Sequence, residues 1–305
     1  MATGLALPST PEPLPLGALS DPILVDPGPR LLRAVVEAYR EAAPALVEPS
    51  VADLATEADE TGGGDHAPPD LPTLNVFAGE AAIDAATAGF RSASRLAALL
   101  DADAVDLRVL GAPQPNPVLA GTETGFALIG NERDGPGGGT TEKATGEASR
   151  WHRVGDDASL RERYASAFAA AEPYRLRTPS RRRVYEGFAA RCDESVAAAV
   201  LRALDVVMAA NEGPDPEETR VRAYAVGARE GVLDRTLRRA CEDAGLGSPS
   251  TFTRIKRLLR EADLIETVSE PQPVGRPRER LAARGALAEA ETPDETVAAV
   301  RGVTE

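Results

Sequence analysis

The sequence predicts an α/β half followed by a mostly helical α+β half. Three observations carry that expectation. Strand-like and helix-like stretches alternate between residues 74 and 171. From Pro179 onward Val184, Phe188, Cys192, Val196, Val200, Leu204 and Met208 recur every four residues, a helical rhythm. Residues 214–284 then run helix, helix, tight turn, helix and two strand-like stretches. At 305 residues the chain is long enough for two ordinary domains.

Taken in order, residues 1–20 carry Pro8, Pro11, Pro13 and Pro15 with little periodicity, and are expected to form a flexible arm. Residues 21–178 form the expected α/β regulatory or sensor domain. Within it, 31–48 reads as a helix with Leu31, Leu32, Val35, Val36 and Tyr39 on one side, and 57–70 as an acidic loop. A β-α-β-β pattern follows: a strand at 74–77, an Ala-rich helix at 80–100, a strand at 104–110 and a hairpin at 118–130 turning near 122–125. A glycine-rich loop occupies 131–147, a further strand 150–154, and a helix 157–171 with Leu160, Tyr164 and Phe168 in register. Residues 179–213 are expected to be linker or dimerisation helices. Asp193-Glu-Ser can cap a second helix there, so one long helix and two shorter ones both fit. Residues 285–305 are left as a C-terminal tail.

The segment 214–284 is the most informative. Residues 217–229 form a first helix with Val221, Ala225 and Ala228 apolar. Leu233, Leu237, Ala240, Cys241 and Ala244 mark one face of a second, and Gly245-Leu246-Gly247 a tight turn. Ser248 is placed to cap the third helix, with Pro249 at its first position. In that helix Phe252, Ile255, Leu258, Leu259 and Ala262 point to a core. Ser250, Thr253, Arg254 and Arg257 point the other way, Thr251 lies in the first turn, and Lys256 and Arg260 flank the outer face. Strand-like 264–269, a turn at 271–277 and a returning strand at 278–283 complete the order. This is the order of a winged helix-turn-helix. The full expectation is therefore an α/β N-terminal domain plus an α+β winged helix-turn-helix C-terminal domain.

That arrangement suits double-stranded DNA. The second helix of a helix-turn-helix enters the major groove, where Ser, Thr and Arg reach base edges. An arginine-bearing hairpin reaches a flanking phosphate or the minor groove. The expected DNA-binding residues are Ser250, Thr251, Thr253, Arg254, Lys256, Arg257 and Arg260 on the helix, and Arg276 and Arg278 on the wing. Charge agrees. The whole chain carries a formal −14, yet Arg220 to Arg284 holds fourteen basic and nine acidic residues, a local +5 against −19 elsewhere.

At these residues the chain also resembles a known family. Ala244-Gly-Leu, Ser250-Thr-Phe-Thr-Arg-Ile-Lys-Arg-Leu-Leu-Arg-Glu-Ala-Asp-Leu-Ile and Pro273-Val-Gly-Arg-Pro-Arg are similar to the haloarchaeal TbsP transcriptional regulators. The run Tyr174-Arg-Leu-Arg-Thr-Pro179 and the strand–helix–strand order of the first half are similar too. The resemblance implies a cytoplasmic winged-helix regulator, associated with the TrmB sugar-metabolism regulator and acting on central carbon metabolism genes. It implies promoter DNA as partner and an N-terminal domain of undefined ligand. That domain is expected to sense a small-molecule effector or a partner. Winged-helix regulators commonly read two-fold sites as homodimers, and the stripe 184–208 could serve either as a dimer helix or as a linker packed on the wing domain.

Composition excludes much else. Only His66 and His152, and only Cys192 and Cys241, occur, with no CxxC, so no metal site and no His-based catalytic set is expected. His152 sits in His-Arg-Val, which is not an HxK motif, and Gly135-Pro-Gly-Gly-Gly-Thr-Thr-Glu-Lys143 is not GxxxxGK[ST]. No catalytic residue and no cofactor is expected. The apolar runs are far shorter than the ~18 residues a membrane helix needs. Lys143 and Lys256 are the only lysines beside a large acidic surplus, a balance that fits a high-salt cytoplasm in a halophilic archaeon. The alternative function is a winged-helix protein-interaction module without sequence-specific DNA binding. An enzyme in the α/β half is a third and weaker reading.

Overall fold

The computed structural model describes residues 5–7, 13–59, 71–130, 150–207, 213–272 and 277–303. The first elements are β1 (Ala6–Leu7), β2 (Leu14–Pro15), β3 (Ile23–Val25), α1 (Pro29–Ala42), α2 (Pro44–Val47) and α3 (Val51–Asp59). Next come β4 (Leu74–Ala78), α4 (Glu80–Ala86), α5 (Phe90–Asp101), β5 (Val105–Val109), β6 (Val118–Ala120), β7 (Gly125–Ile129), β8 (Arg150–Gly155) and α6 (Ser159–Ala170). The last run is α7 (Arg181–Arg191), α8 (Glu194–Asp205), α9 (Pro216–Arg229), α10 (Asp234–Asp243), α11 (Pro249–Glu261), β9 (Ile265–Glu270), β10 (Arg278–Ala283), α12 (Gly285–Glu289) and α13 (Pro293–Val300). They form two compact units. A sheet unit draws on Met1–Pro44, Ala67–Ala86 and Leu99–Arg175, and a helical unit on Ala45–His66, Thr87–Ala98 and Leu176–Glu305.

The sheet unit is built on six strands in the order β5-β4-β3-β6-β7-β8. β3, β4 and β5 run parallel, and β6, β7 and β8 continue antiparallel. Ile23, Leu24 and Val25 are all buried, the continuous apolar run expected of a strand covered on both faces. Tyr164 and Phe168 of α6 cluster with Ile23, Val25 and Phe77, and the Phe77 and Phe168 rings meet edge-on at 5.7 Å. Arg108 of β5 fastens the end of α6. Its Nη1 donates to the carbonyls of Phe168, Ala169 and Ala171 at 3.0–3.3 Å, and its guanidinium lies 4.9 Å over the Phe168 ring.

Several sequence expectations change here. β3 was not foreseen, because three residues between Pro22 and Asp26 show no period, yet it is a central strand. The described part of the first twenty residues is not a free arm. Leu5, Leu7, Leu16 and Leu19 are buried, β1 pairs with β2, and Leu16 N–H donates to the Leu5 carbonyl at 2.8 Å. The expected helix at 80–100 is two helices, broken at Thr87-Ala-Gly89. The helix at 31–48 ends at Ala42 before Pro44, and α3 was not expected. The glycine-rich loop 131–147 lies outside the described residues, as do His66 and Met208.

In the helical unit, α9 is buried almost all round and forms the axis on which α8, α10, α11 and α13 pack. Arg222 of α9 is 2% exposed: its Nη1 donates to the Ala203 and Val206 carbonyls at the end of α8, and its Nε and Nη2 donate to Glu218 at 3.1 and 2.6 Å. The rhythm of 179–213 resolves into two helices because Asp193 caps the second, accepting from Val196 N–H at 2.9 Å. Its apolar positions Val184, Phe188, Val196, Val200 and Leu204 are buried in the unit's own core, against α9 and α10. The described positions of the stripe therefore pack within the chain. α7 approaches the end of α10 so closely that a Cβ on Gly187 would lie 2.6 Å from the Ala244 backbone nitrogen. The expected tail is folded: a Thr292–Glu295 capping box starts α13, and Leu287, Val297 and Val300 join the core.

Candidate nucleic-acid interface

α10, the five-residue connection 244–248 and α11 form the helix-turn-helix. The turn is set by two glycines with positive φ, Gly245 at 76° and Gly247 at 155°, which side-chain-bearing residues adopt at a cost. Leu246 N–H and Gly245 N–H donate back to the Cys241 and Glu242 carbonyls at 2.9 Å, closing α10. Leu246 is buried, and its carbonyl accepts from Arg220 Nε at 2.7 Å, which ties the turn to α9. Ser248 caps α11 through Thr251 N–H, with Pro249 following as the sequence predicts.

The inner face of α11 carries Phe252, Ile255 and Leu259, all fully buried, and Phe252 stacks on Tyr224 of α9 at 5.8 Å. Leu258 is half-buried, and Ala262, one residue past the last helical turn, is exposed rather than in the core. Ser250, Thr253, Arg254, Arg257 and Arg260 are exposed, and Thr251 is half-buried. Arg257 is the most open of the ion-paired arginines on this helix, 68% exposed and only 3.7 Å from Glu261. Arg254 touches Glu217 of α9.

Lys256 sits differently. Its ammonium lies 3.3 Å from Asp234 and 2.7 Å from Glu279 of β10, with its side chain only 15% exposed. Asp234 is itself buried, and accepts from Tyr224 Oη at 2.5 Å and Arg238 Nη2 at 2.6 Å. Burial, reinforced by the Asp234 charge, holds the Tyr224 hydroxyl protonated far above its ordinary range. One buried carboxylate thus joins α9, α10 and α11, and Lys256 extends the tie to the wing.

The wing is the antiparallel pair β9–β10, with Ile265 opposite Ala283 and Glu270 opposite Arg278. Leu233 bridges to Arg280, so the segment before α10 adds a minimal third strand. Arg278 is exposed at the start of β10. Arg280 is paired with Glu270, whose carboxyl is lowered by that hydrogen bond. Arg276 lies outside the described residues.

Two cations were missed by sequence reasoning. Arg235 and Arg239, four residues apart on α10, are both exposed, on the side away from buried Leu237 and Cys241. The helical period that identified the inner face also marks these two as its opposite. Among the described residues no group of His, Cys, Asp and Glu is arranged to hold a metal ion, and no helix is long and apolar enough to cross a membrane.

Family models match both halves of the chain. Residues 31–179 match the N-terminal model of TbsP-like transcriptional regulators, and residues 180–301 match the C-terminal helix-turn-helix domain of the same regulators. No curated protein and no solved structure matches.

Proposed function

The chain belongs to the TbsP-like transcriptional regulators, and from that premise we propose that it binds promoter DNA sequence-specifically through α11. The observation that carries this reading is the outer face of α11, where Ser250, Thr253, Arg254 and Arg257 are all exposed on a helix whose other face is locked into the core. Arg254 and Arg257 would reach base edges, Ser250, Thr251 and Thr253 would make polar contacts, and Arg260, Arg276 and Arg278 would meet the backbone. Lys256, tied to Asp234 and Glu279, would set the angle between helix and wing. The test is a gel shift in high KCl with R254A/R257A. At about 1–3 kcal/mol for each base contact, binding falls by at least ~30-fold. Undiminished, sequence-selective binding by the double variant overturns the assignment.

The wider setting is part of the proposal. The −14 charge with two lysines supports a high-salt archaeal cytoplasm, tested by measuring stability against KCl. The family resemblance supports sugar and central carbon metabolism genes as targets. Chromatin immunoprecipitation with and without glucose tests this, and a flat profile would favour the protein-interaction alternative. The sheet unit is proposed to sense a small-molecule effector at the carboxyl ends of its parallel strands, where α/β sheets bind ligands. Thermal shifts of the full chain against sugar phosphates test that. A homodimer suits two-fold operators. Its contact surface would lie elsewhere than the stripe 184–204, which the chain already covers, and light scattering of the full chain reads the state.

A further inference from the structure

Resting on the reading of α11 as the recognition helix, we infer that Glu217 of α9 is a positioning residue that sets how sharply Arg254 discriminates bases from phosphates. Glu217 lies in the first turn of α9, where Asp215 accepts from its N–H and from Glu218 N–H, both at 2.8 Å, so its backbone is fixed. One carboxylate oxygen takes Nη2 of Arg254, and the other lies 3.3 Å from Nη1 of Arg220. Arg220 in turn donates through Nε to the Leu246 carbonyl of the turn. A continuous line therefore runs from recognition helix to α9 to turn, with Glu217 at its middle.

The Arg254 side chain stays 46% exposed within this contact. A guanidinium has five donors, so tethering at Nη2 leaves others free for the acceptor edge of a base. The tether has an electrostatic consequence. A DNA phosphate that approaches Arg254 also approaches the Glu217 carboxylate and is repelled by it. Guanine O6 and N7 are neutral acceptors and are repelled far less. Glu217 also restricts the long arginine side chain, which would otherwise swing to the backbone. Both effects weaken sequence-independent binding more than base readout, which is specificity by penalising the wrong partner. Contact-distance pairs of this kind persist in strong salt, where the Debye length is about 3 Å at 1 M.

The experiment uses the full chain, a duplex selected by that chain from a randomised pool, and the same bases shuffled. E217Q keeps the shape and a carbonyl acceptor but loses the charge. It should raise affinity for the shuffled duplex about tenfold, change affinity for the selected duplex by less than about threefold, and steepen the salt slope of shuffled binding by about one. E217D, which keeps the charge, should hold the wild-type ratio of selected to shuffled affinity. In the R254A background E217Q should leave the ratio unmoved. An unchanged ratio and slope in E217Q, an equal loss on both duplexes, or the same effect without Arg254 overturns the inference while the recognition-helix reading stands. A wild-type chain that binds both duplexes alike overturns both.

Discussion

The sheet unit and the helical unit use arginine in the same way up to a point, and then part. In the sheet unit Arg108 pins the end of α6, and Arg161 pairs with Asp21 beside β3. The helical unit does likewise with Arg181, which pairs with Asp205 and donates to the Pro49 carbonyl, and with Arg222. Both units also leave arginines exposed, Arg153, Arg163 and Arg175 among them in the sheet unit, but the helical unit gathers Arg235, Arg239, Arg257 and Arg260 on two adjacent helices. The lesson is that net charge misleads until internal pairs are removed. A −14 chain presents a cationic face because the arginines of α10 and α11 are not all consumed within the fold.

That contrast can be broken or sharpened by substitution. The largest effect should come from Asp234→Ala, which removes the buried carboxylate shared by Tyr224, Arg238 and Lys256. Loss of one partner of a buried pair costs about 3–5 kcal/mol, read as a drop in the urea midpoint. A variant of wild-type stability would show that the hub carries nothing. Next, Arg108→Ala removes charged donors to three carbonyls and should cost about 2 kcal/mol. At a temperature where the variant is folded its DNA affinity should match wild type, and a changed affinity would argue against the division of labour. R235A/R239A should leave stability unchanged, weaken binding equally on every sequence and lower the salt slope by about two, checked by titration over a KCl series. The smallest effect concerns acid. Burial raises the Glu48 carboxyl, but hydrogen bonds from Arg95 and Arg91 outweigh it, and its net shift is downward. A carboxyl lowered in the folded state stabilises above its ordinary range, and that stabilisation fades as pH falls through the folded value. E48Q should therefore lose less stability than wild type on acidification, as urea midpoints down the pH scale would show.

How much of this was legible follows from length and period. α9, α10 and α11 could be read because each repeats an apolar spacing and has Ser, Pro or Gly at one end or both, and the wing because a Pro- and Gly-bearing turn separates two short strand-like stretches. β3 could not, since Ile23-Leu-Val25 is too short to show alternation. α12 and α13 were missed because their buried residues, Leu287, Val297 and Val300, are spread among Ala and acidic positions. At the site, outward residues of α11 followed directly from its inner face. Three-dimensional partners did not. Nothing in sequence spacing places Lys256 between Asp234 and Glu279, or Glu217 against Arg254, because those pairs are separated by loops and turns whose path is set by tertiary packing.

The helical unit is not one stretch of chain. Leu54 of α3 and Phe90 of α5 share a core with Val200, Tyr224 and Val300. On a ribosome adding roughly 5–20 residues per second, Leu54 emerges some tens of seconds before α13 exists to complete its surroundings. Leu54 and Phe90 must therefore wait with apolar surface uncovered, and the helix-turn-helix end can close only after α13 has been made.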